Sequence, residues 1–287
     1  MFYIIFILLT MLGLLMIRGH KNTKQAVINH IDIHQAGRSE AEKNLQLNIL
    51  HLSDLHLENI SISPRQLYES VKDKNVDLIA ITGDFMDRKR SIPKLIPYLE
   101  YLNKLQPVYG SYAVFGNHDY VLKDSYFTQL QELLHDHGVK TLQNEHDRIE
   151  IDGQAVNIIG IDDYGTGRSN LLKSYAGLEG GYNLVFTHDP NIVLDMDGYR
   201  FDYLLSGHFH GGQIHWPKPY HLIKMGKLVR MNMVKGLQKH MDQLFYISEG
   251  LGQTGVNIRV GSRPEITIHR IGLTQEQKDE SVEIKAG

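Results

Sequence analysis

Apolar and polar positions fall into distinct regimes along this chain. Phe2 to Ile17 is an unbroken apolar run, FYIIFILLTMLGLLMI, softened only by Thr10 and Gly13. From residue 18 to 46 the chain turns polar. Short runs rich in Val, Ile, Leu and Tyr then recur at 48–52, 76–82, 111–115, 156–161, 182–187, 202–205, 244–248 and 265–271. Several are continuous rather than alternating, the pattern of strands buried on both faces. Helical spacing fills gaps between them: Pro64 to Lys74 with proline at its start, Pro93 to Leu105, and Ser125 to His137, which Gly138 ends. Strands alternating with helices predict an α/β domain over residues 47–272. Residues 273–287 form an acidic, polar tail expected to be loose.

The N-terminal run sits near the lower limit of roughly 17 residues for a membrane-spanning helix. A cleaved signal peptide needs a basic start and a small-x-small cleavage site. Here no Lys or Arg precedes the run, and Arg18-Gly19-His20-Lys21 follows it. The expectation is an uncleaved, single-pass anchor over 1–17 in the cell membrane, joined by a polar linker over 18–46. Arg18, Lys21 and Lys24 lie beyond the span, which by the positive-inside rule places the body of the protein in the cytoplasm.

Composition narrows the chemistry. An apolar fraction of 42% and a charged fraction of 22% are those of a globular domain. The formal net charge of −3 gives no global push toward nucleic acid, and none is expected as a partner. The chain has no cysteine, which excludes disulfides, zinc-thiolate sites and thiol nucleophiles. No phosphate-cradling Walker pattern is present. The sixteen histidines inform only through their placement.

That placement is ordered. Strand 48–52 runs into Ser53-Asp54-Leu55-His56, and strand 76–82 into Gly83-Asp84-Phe85-Met86-Asp87-Arg88. Strand 111–115 runs into Gly116-Asn117-His118-Asp119, strand 182–187 into His188-Asp189, and strand 202–205 into Ser206-Gly207-His208-Phe209-His210. Taken singly, each is ordinary turn chemistry. Together they put Asp, His and Asn at the carboxyl ends of several strands, where open α/β sheets bind ligands. Carboxylate, imidazole and amide oxygen in one place suit a divalent transition metal rather than Ca²⁺ or a structural cysteine-zinc site.

The set Asp54-x-His56, Gly83-Asp84-x-x-Asp87-Arg88, Gly116-Asn117-His118-Asp119, His188 and Gly207-His208-x-His210 resembles the calcineurin-like metallophosphoesterases over residues 47 to 271. The stretch from Gly207 to Gln213, with Gly261-Ser262-Arg263-Pro264-Glu265 downstream, is similar to a membrane-associated bacterial branch that includes the YkuE-like enzymes. That branch more often has Thr at the position of Phe209. The resemblance implies a four-layer α/β/β/α sandwich of two mixed sheets and two divalent metal ions, Mn, Fe or Zn. Asp54, His56 and His210 would hold one ion, Asn117, His188 and His208 the other, and Asp84 would bridge them. It further implies hydrolysis of a phosphate ester or pyrophosphate by metal-activated hydroxide. His118 would act as acid or charge stabiliser, oriented by Asp119. An anchor suits a phosphorylated lipid-linked substrate, such as the UDP-2,3-diacylglucosamine cleaved by relatives. A nucleotide phosphodiesterase, a protein phosphatase or a non-catalytic metal-dependent scaffold are the alternatives.

Weaker signals remain. Asp87 and Arg88 either order the loop or touch phosphate. Asp162-Asp163 reads as turn chemistry, and His51 and His215 as supporting or structural residues. Residues 216–241 form one long irregular stretch carrying Lys218, Lys224, Lys227, Arg230, Lys235 and Lys239 without an acid. It is either a solvated insertion with a small core or a basic lid facing a membrane.

Overall fold

Residues 2–33, 45–215 and 218–273 are described by the computed structural model. The chain starts with helix α1 (Phe2–Asn22), strands β1 (Val27–Ile33) and β2 (Leu45–Leu52), helix α2 (Pro64–Val71) and strand β3 (Leu78–Thr82). It continues with α3 (Ile92–Asn103), β4 (Ser111–Val114), α4 (Asp124–Asp136), β5 (Val139–Thr141), β6 (Glu145–Ile151) and β7 (Gln154–Gly160). The remainder is α5 (Leu171–Ser174), β8 (Tyr182–Phe186), β9 (Tyr203–Ser206), α6 (Lys227–Arg230), β10 (Gly236–His240), β11 (Gln243–Ile247) and β12 (Glu265–Leu273).

The strands form two six-stranded sheets, ordered β1-β12-β2-β3-β4-β5 and β10-β11-β9-β8-β7-β6. Both are mixed. β2 to β5 run parallel, with β12 antiparallel to β2; β7, β8, β9 and β11 run parallel, with β6 and β10 antiparallel at the two edges. The continuous apolar runs serve two faces at once. In β3, Leu78 and Ala80 face the second sheet, while Ile79 and Ile81 face helices α2 to α4. In β8, Leu184 and Phe186 face the first sheet, while Val185 faces the opposite layer with Phe209, Leu228 and Phe245. Each such side chain contributes about 1.5–3 kcal/mol on burial, which stacks helix, sheet, sheet and outer turns into four layers. Locally, α2 is started by Ser63, whose hydroxyl accepts the Gln66 N–H while Gln66 accepts the Ser63 N–H, with Pro64 in the first turn.

α1 spans 21 residues and is long and apolar enough to cross a membrane, with a mean hydropathy of 2.2 over its most apolar 18 residues. It continues past the expected end at residue 17, because its foot is docked. The Gly19 carbonyl accepts the Arg259 N–H at 2.9 Å, the Asn22 amide donates to the Arg259 carbonyl at 2.9 Å, and His20 meets the Asn257 carbonyl at 3.1 Å. A Cβ at Gly19 would lie 3.2 Å from Ile258, so the approach is close.

Two expectations need correction. The stretch 18–46, read as a linker, contains β1, which pairs with β12 from Val27 opposite Glu265 to Ile33 opposite Ile271. As an edge strand it is largely half-exposed, and its interleaved polar residues hide the strand signal. The stretch 216–241 is not irregular throughout: it holds α6 and β10, and buries Leu222, Leu228 and Val234 in the outer layer of the second sheet. Trp216, Pro217 and the tail beyond Leu273 lie outside the described residues.

Candidate metal centre

The loops that leave β2, β3, β4, β8 and β9 converge on one rim. Their backbone is contorted: Asp54, His56, Asp84, His208 and His210 have φ of 50°, 39°, 55°, 76° and 50°. Such conformations cost of order 1–3 kcal/mol each and gather at functional sites. Cross-loop hydrogen bonds offset part of this, with the Asp54 and His56 amides donating to the Gly83 and Asp84 carbonyls, each at 3.0 Å. Close approach explains the glycines. A Cβ on Gly116 would strike the Asp84 carboxylate and the His188 ring, and one on Gly207 would strike Ser53 and the Asp54 carboxylate.

The polar groups so assembled form overlapping clusters. Asp54, His56 and His210 make one, and Asp84, His188 and His208 another, each with ligand atoms within 4.8 Å of one another. His210 Nε2 lies 3.3 Å from Asp54 Oδ1 and 3.1 Å from His56 Nε2. His188 Nε2 lies 3.2 Å from His208 Nδ1. Asp84 stands between the clusters, its Oδ2 at 3.5 Å from His56 Nε2 and 3.1 Å from His188 Nε2. His188 is aimed by its other nitrogen, which donates to the Thr82 carbonyl at 2.7 Å.

Burial disfavours charge on these imidazoles and lowers His56 and His208 to about 4, and His210 well below its ordinary value. Burial opposes charge on His188 too, yet Asp84, Asp54 and Asp163 outweigh it and raise that ring well above the usual value. Burial alone would raise Asp84, but His188, His56 and His118 overcome it and hold the carboxylate far below the normal range. Asp54, dominated by burial, rises to about 6. The clusters therefore draw positive charge into an apolar setting, where unpaired carboxylates are costly.

The donor set also fits divalent ions by what it leaves unmade. Asn117 Oδ1 is buried at the rim without a hydrogen-bond partner. Buried polar atoms are almost always paired, so an orphan beside carboxylates and neutral imidazoles marks a place for cations.

The calcineurin-like phosphoesterase family pattern matches residues 47–212. The metallophosphoesterase YkoQ of Bacillus subtilis (strain 168) is 66% identical over 254 residues, 88% of this chain and 93% of that protein. The chain belongs to the calcineurin-like phosphoesterase family. The metallophosphoesterase YkuE of the same organism is 27% identical, over 81% of this chain and 79% of YkuE. The UDP-2,3-diacylglucosamine pyrophosphatase LpxG of Chlamydia trachomatis is 25% identical, over 78% of this chain and 83% of LpxG. The protein is thus a phosphoesterase hydrolase of the metal-dependent kind.

In this phosphoesterase the rim brings together Asp54, His56, Asp84, Asn117, His118, His188, His208 and His210. Asp119 behaves differently from the expectation. It does not meet the His118 ring; its carboxylate accepts the N–H groups of Asp84, Phe85, Met86 and Gly116 at 2.8–3.2 Å. The turn after β4 directs adjacent side chains oppositely, so Asp119 points inward and fastens the Asp84 loop. The acid nearest the His118 ring is Asp87, with Oδ2 at 3.8 Å from Nδ1. Asp163 does close a turn, accepting the Thr166 N–H at 2.7 Å, but its other oxygen is buried and unpartnered. His215 is structural, its Nδ1 against the Gly211 carbonyl at 2.9 Å.

Arg259 carried no sequence signal beyond lying between Ile258 and Val260. It is fully buried and donates to the carbonyls of His210, Glu249, Gly250, Gly252 and Arg263. One guanidinium thereby fixes the loop that carries His210 and the glycine turn against Asp54. Its backbone holds the foot of α1.

The phosphoesterase cleft has two arms that share Asn117 and His208. One, of about 440 Å³, is lined by Phe209, Ile214, Leu222, Met225 and Val256. The other, of about 640 Å³, is lined by Lys224, Lys227 and Arg230 together with Tyr164 and Asp195.

Proposed function

We propose that this chain is a membrane-anchored phosphoesterase with two metal ions that hydrolyses a lipid-linked phosphate ester or pyrophosphate. Asp54, His56 and His210 hold one ion, Asn117, His188 and His208 the other, and Asp84 serves both. Bound divalent ions in such a pair supply charge stabilisation at the phosphoryl oxygens and a nucleophile at neutral pH. The chain's own groups do the rest. Asp119 holds the Asp84 loop rigid through four amides. His118, whose N–H donates to Asp84 Oδ1 at 2.8 Å, keeps its ring free over the cleft to deliver a proton to the leaving oxygen. Asp87 stands behind that ring as its counter-charge.

The observation that carries the lipid-linked part is the position of the apolar arm. Thr254, Gly255 and Val256 line it, and the next residues, Asn257 and Arg259, hold the last turns of α1. An anchor docked there keeps the arm beside the bilayer, so an acyl or prenyl chain enters without leaving the membrane. LpxG, a pyrophosphatase of a diacylated sugar nucleotide, supports the same substrate class.

The test uses two diesters, p-nitrophenyl dodecyl phosphate and p-nitrophenyl ethyl phosphate, with the Mn²⁺-loaded protein in detergent below its critical concentration. At about 0.8 kcal/mol per buried methylene, a few seated carbons raise kcat/KM for the dodecyl ester by roughly 100-fold. Equal kcat/KM values for the two esters overturn the lipid reading; hydrolysis of neither removes the phosphate diester and leaves the pyrophosphate as the bond cleaved.

A further inference from the structure

The second arm is the part of the cleft that phosphoryl chemistry does not use. Its mouth is shared with Asn117 and His208, and its far wall carries Lys224, Lys227 and Arg230. All three are exposed, and among the described residues none of them forms an ion pair. The groove also holds two acids, Asp189 and Asp195, so its three cations outnumber them by one: Asp189 Oδ1 accepts the Asn191 backbone and side-chain N–H groups at 2.9 and 2.7 Å, its Oδ2 lies 3.9 Å from His208 Nε2, and Asp195 accepts the Tyr164 hydroxyl at 2.7 Å.

The cationic wall is also built, not a loose charge run. Asn191 is buried three residues after His188, and its side chain bridges to the basic turn. Its amide donates to the Met225 carbonyl at 2.8 Å, and its Oδ1 accepts the Leu228 N–H at 3.2 Å. A Cβ on Gly226 would collide with the same side chain, and Leu228 is fully buried below it. The loop that presents His188 therefore also sets where Lys227 and Arg230 stand. Cations carried on a backbone anchored beside a phosphoryl site attract a second negative charge on the same molecule. Among the described residues the apolar arm, by contrast, has no Lys or Arg, and Met225 lines both arms.

We propose that Lys224, Lys227 and Arg230 form a second anion site, so that the substrate carries another phosphate or carboxylate on the side opposite its apolar group. This rests on the reading of Asn117 and His208 as phosphoryl-site residues. It makes the substrate an amphiphile whose scissile phosphoryl lies between an apolar chain and an anionic head, in place of a neutral-headed ester or a simple monoester.

Two isosteric inhibitors test it: butylphosphonate and 3-phosphonopropionate, extended to the pair hexylphosphonate and 5-phosphonopentanoate for reach. Each competes with bis-p-nitrophenyl phosphate on the full-length, Mn²⁺-loaded protein, and calorimetric titration reads binding directly. The expected result is that a carboxylate-bearing member of a pair binds at least about tenfold more tightly than its neutral partner. In K227E/R230E the preference disappears or reverses, and in K227Q/R230Q it falls to within about twofold, since exposed side chains are replaced and the buried Leu228 anchor is kept. Equal affinity within both pairs in the wild type, or a preference that survives both variants, overturns the second anion site. If no phosphonate binds and bis-p-nitrophenyl phosphate is not cleaved, the phosphoesterase site assignment fails instead.

Discussion

His51 and His269 lie between the two sheets, while His56, His188 and His210 lie at the strand ends; all five are buried. In the interior every ring nitrogen has a partner. His51 meets Thr82 Oγ1 at 2.8 Å and His269 at 3.3 Å, and His269 meets the Tyr203 hydroxyl at 2.9 Å. At the rim imidazole faces imidazole as it does between His51 and His269, but the rings also crowd Asp54 and Asp84, and Asn117 Oδ1 beside them has no partner. Burial alone therefore does not mark function. A buried polar string that closes on itself is a specific kind of core packing, whereas one that stays open asks for a ligand.

The contrast breaks most visibly at Asp84. Asp84→Asn removes the charge that serves both clusters, and activity toward bis-p-nitrophenyl phosphate should fall below about a thousandth, with loss of at least one ion. Elemental analysis finding two ions per chain in that variant would contradict its place between the clusters. Asp119→Ala comes next, and acts on stability as much as on rate. Four amides lose their acceptor, each costing about 1–3 kcal/mol if it stays dry, so unfolding in urea should weaken by several kcal/mol. A change within about 0.5 kcal/mol would mean that water enters and that Asp119 is not the fastening of the Asp84 loop.

The smallest effect belongs to the interior string. Burial lowers His51 to about 3 and His269 well below its ordinary value, so both are neutral when folded. The unfolded chain binds protons near pH 6.5, so it holds more protons than the folded state below that pH. Stability is therefore fully present above about pH 6.5 and declines as pH falls toward 3, by up to about 1.4 kcal/mol per unit for each histidine. His51→Gln should make that slope shallower in chelator-treated protein between pH 6.5 and 4.5. An unchanged slope would assign the acid sensitivity to other groups.

Eight strands were legible in the periodicity, and four were not: β1, β5, β6 and β10. Those four are the outer strands of both sheets. Their physics differs from that of the interior strands. β6 reads Glu145-His146-Asp147-Arg148-Ile149-Glu150-Ile151, with only Ile151 buried, and β10 has no buried residue. An edge needs few apolar side chains and tolerates charge, so its sequence looks like loop. The site was legible for the opposite reason. Gly116 and Gly207 admit no Cβ because Asp84 and His188 stand against the first and Ser53 and Asp54 against the second, so glycine beside polar residues reads as short strings in the sequence.

Taken alone, the chain specified its apolar helix, the two-faced interior strands and the set of Asp, His and Asn at their ends. These depend on residue spacing and on the chemistry of single side chains, which are local properties. Only the tertiary structure decided what those groups touch: that Asp119 fastens the Asp84 loop while Asp87 faces His118, that Arg259 ties the His210 loop to the foot of α1, and that Asn191 fixes a basic wall beside the cleft. Hydrogen-bond direction and charge pairing are set by packing between segments far apart in sequence. Neighbours along a turn point opposite ways, so adjacency in the chain said nothing about which partner each would find.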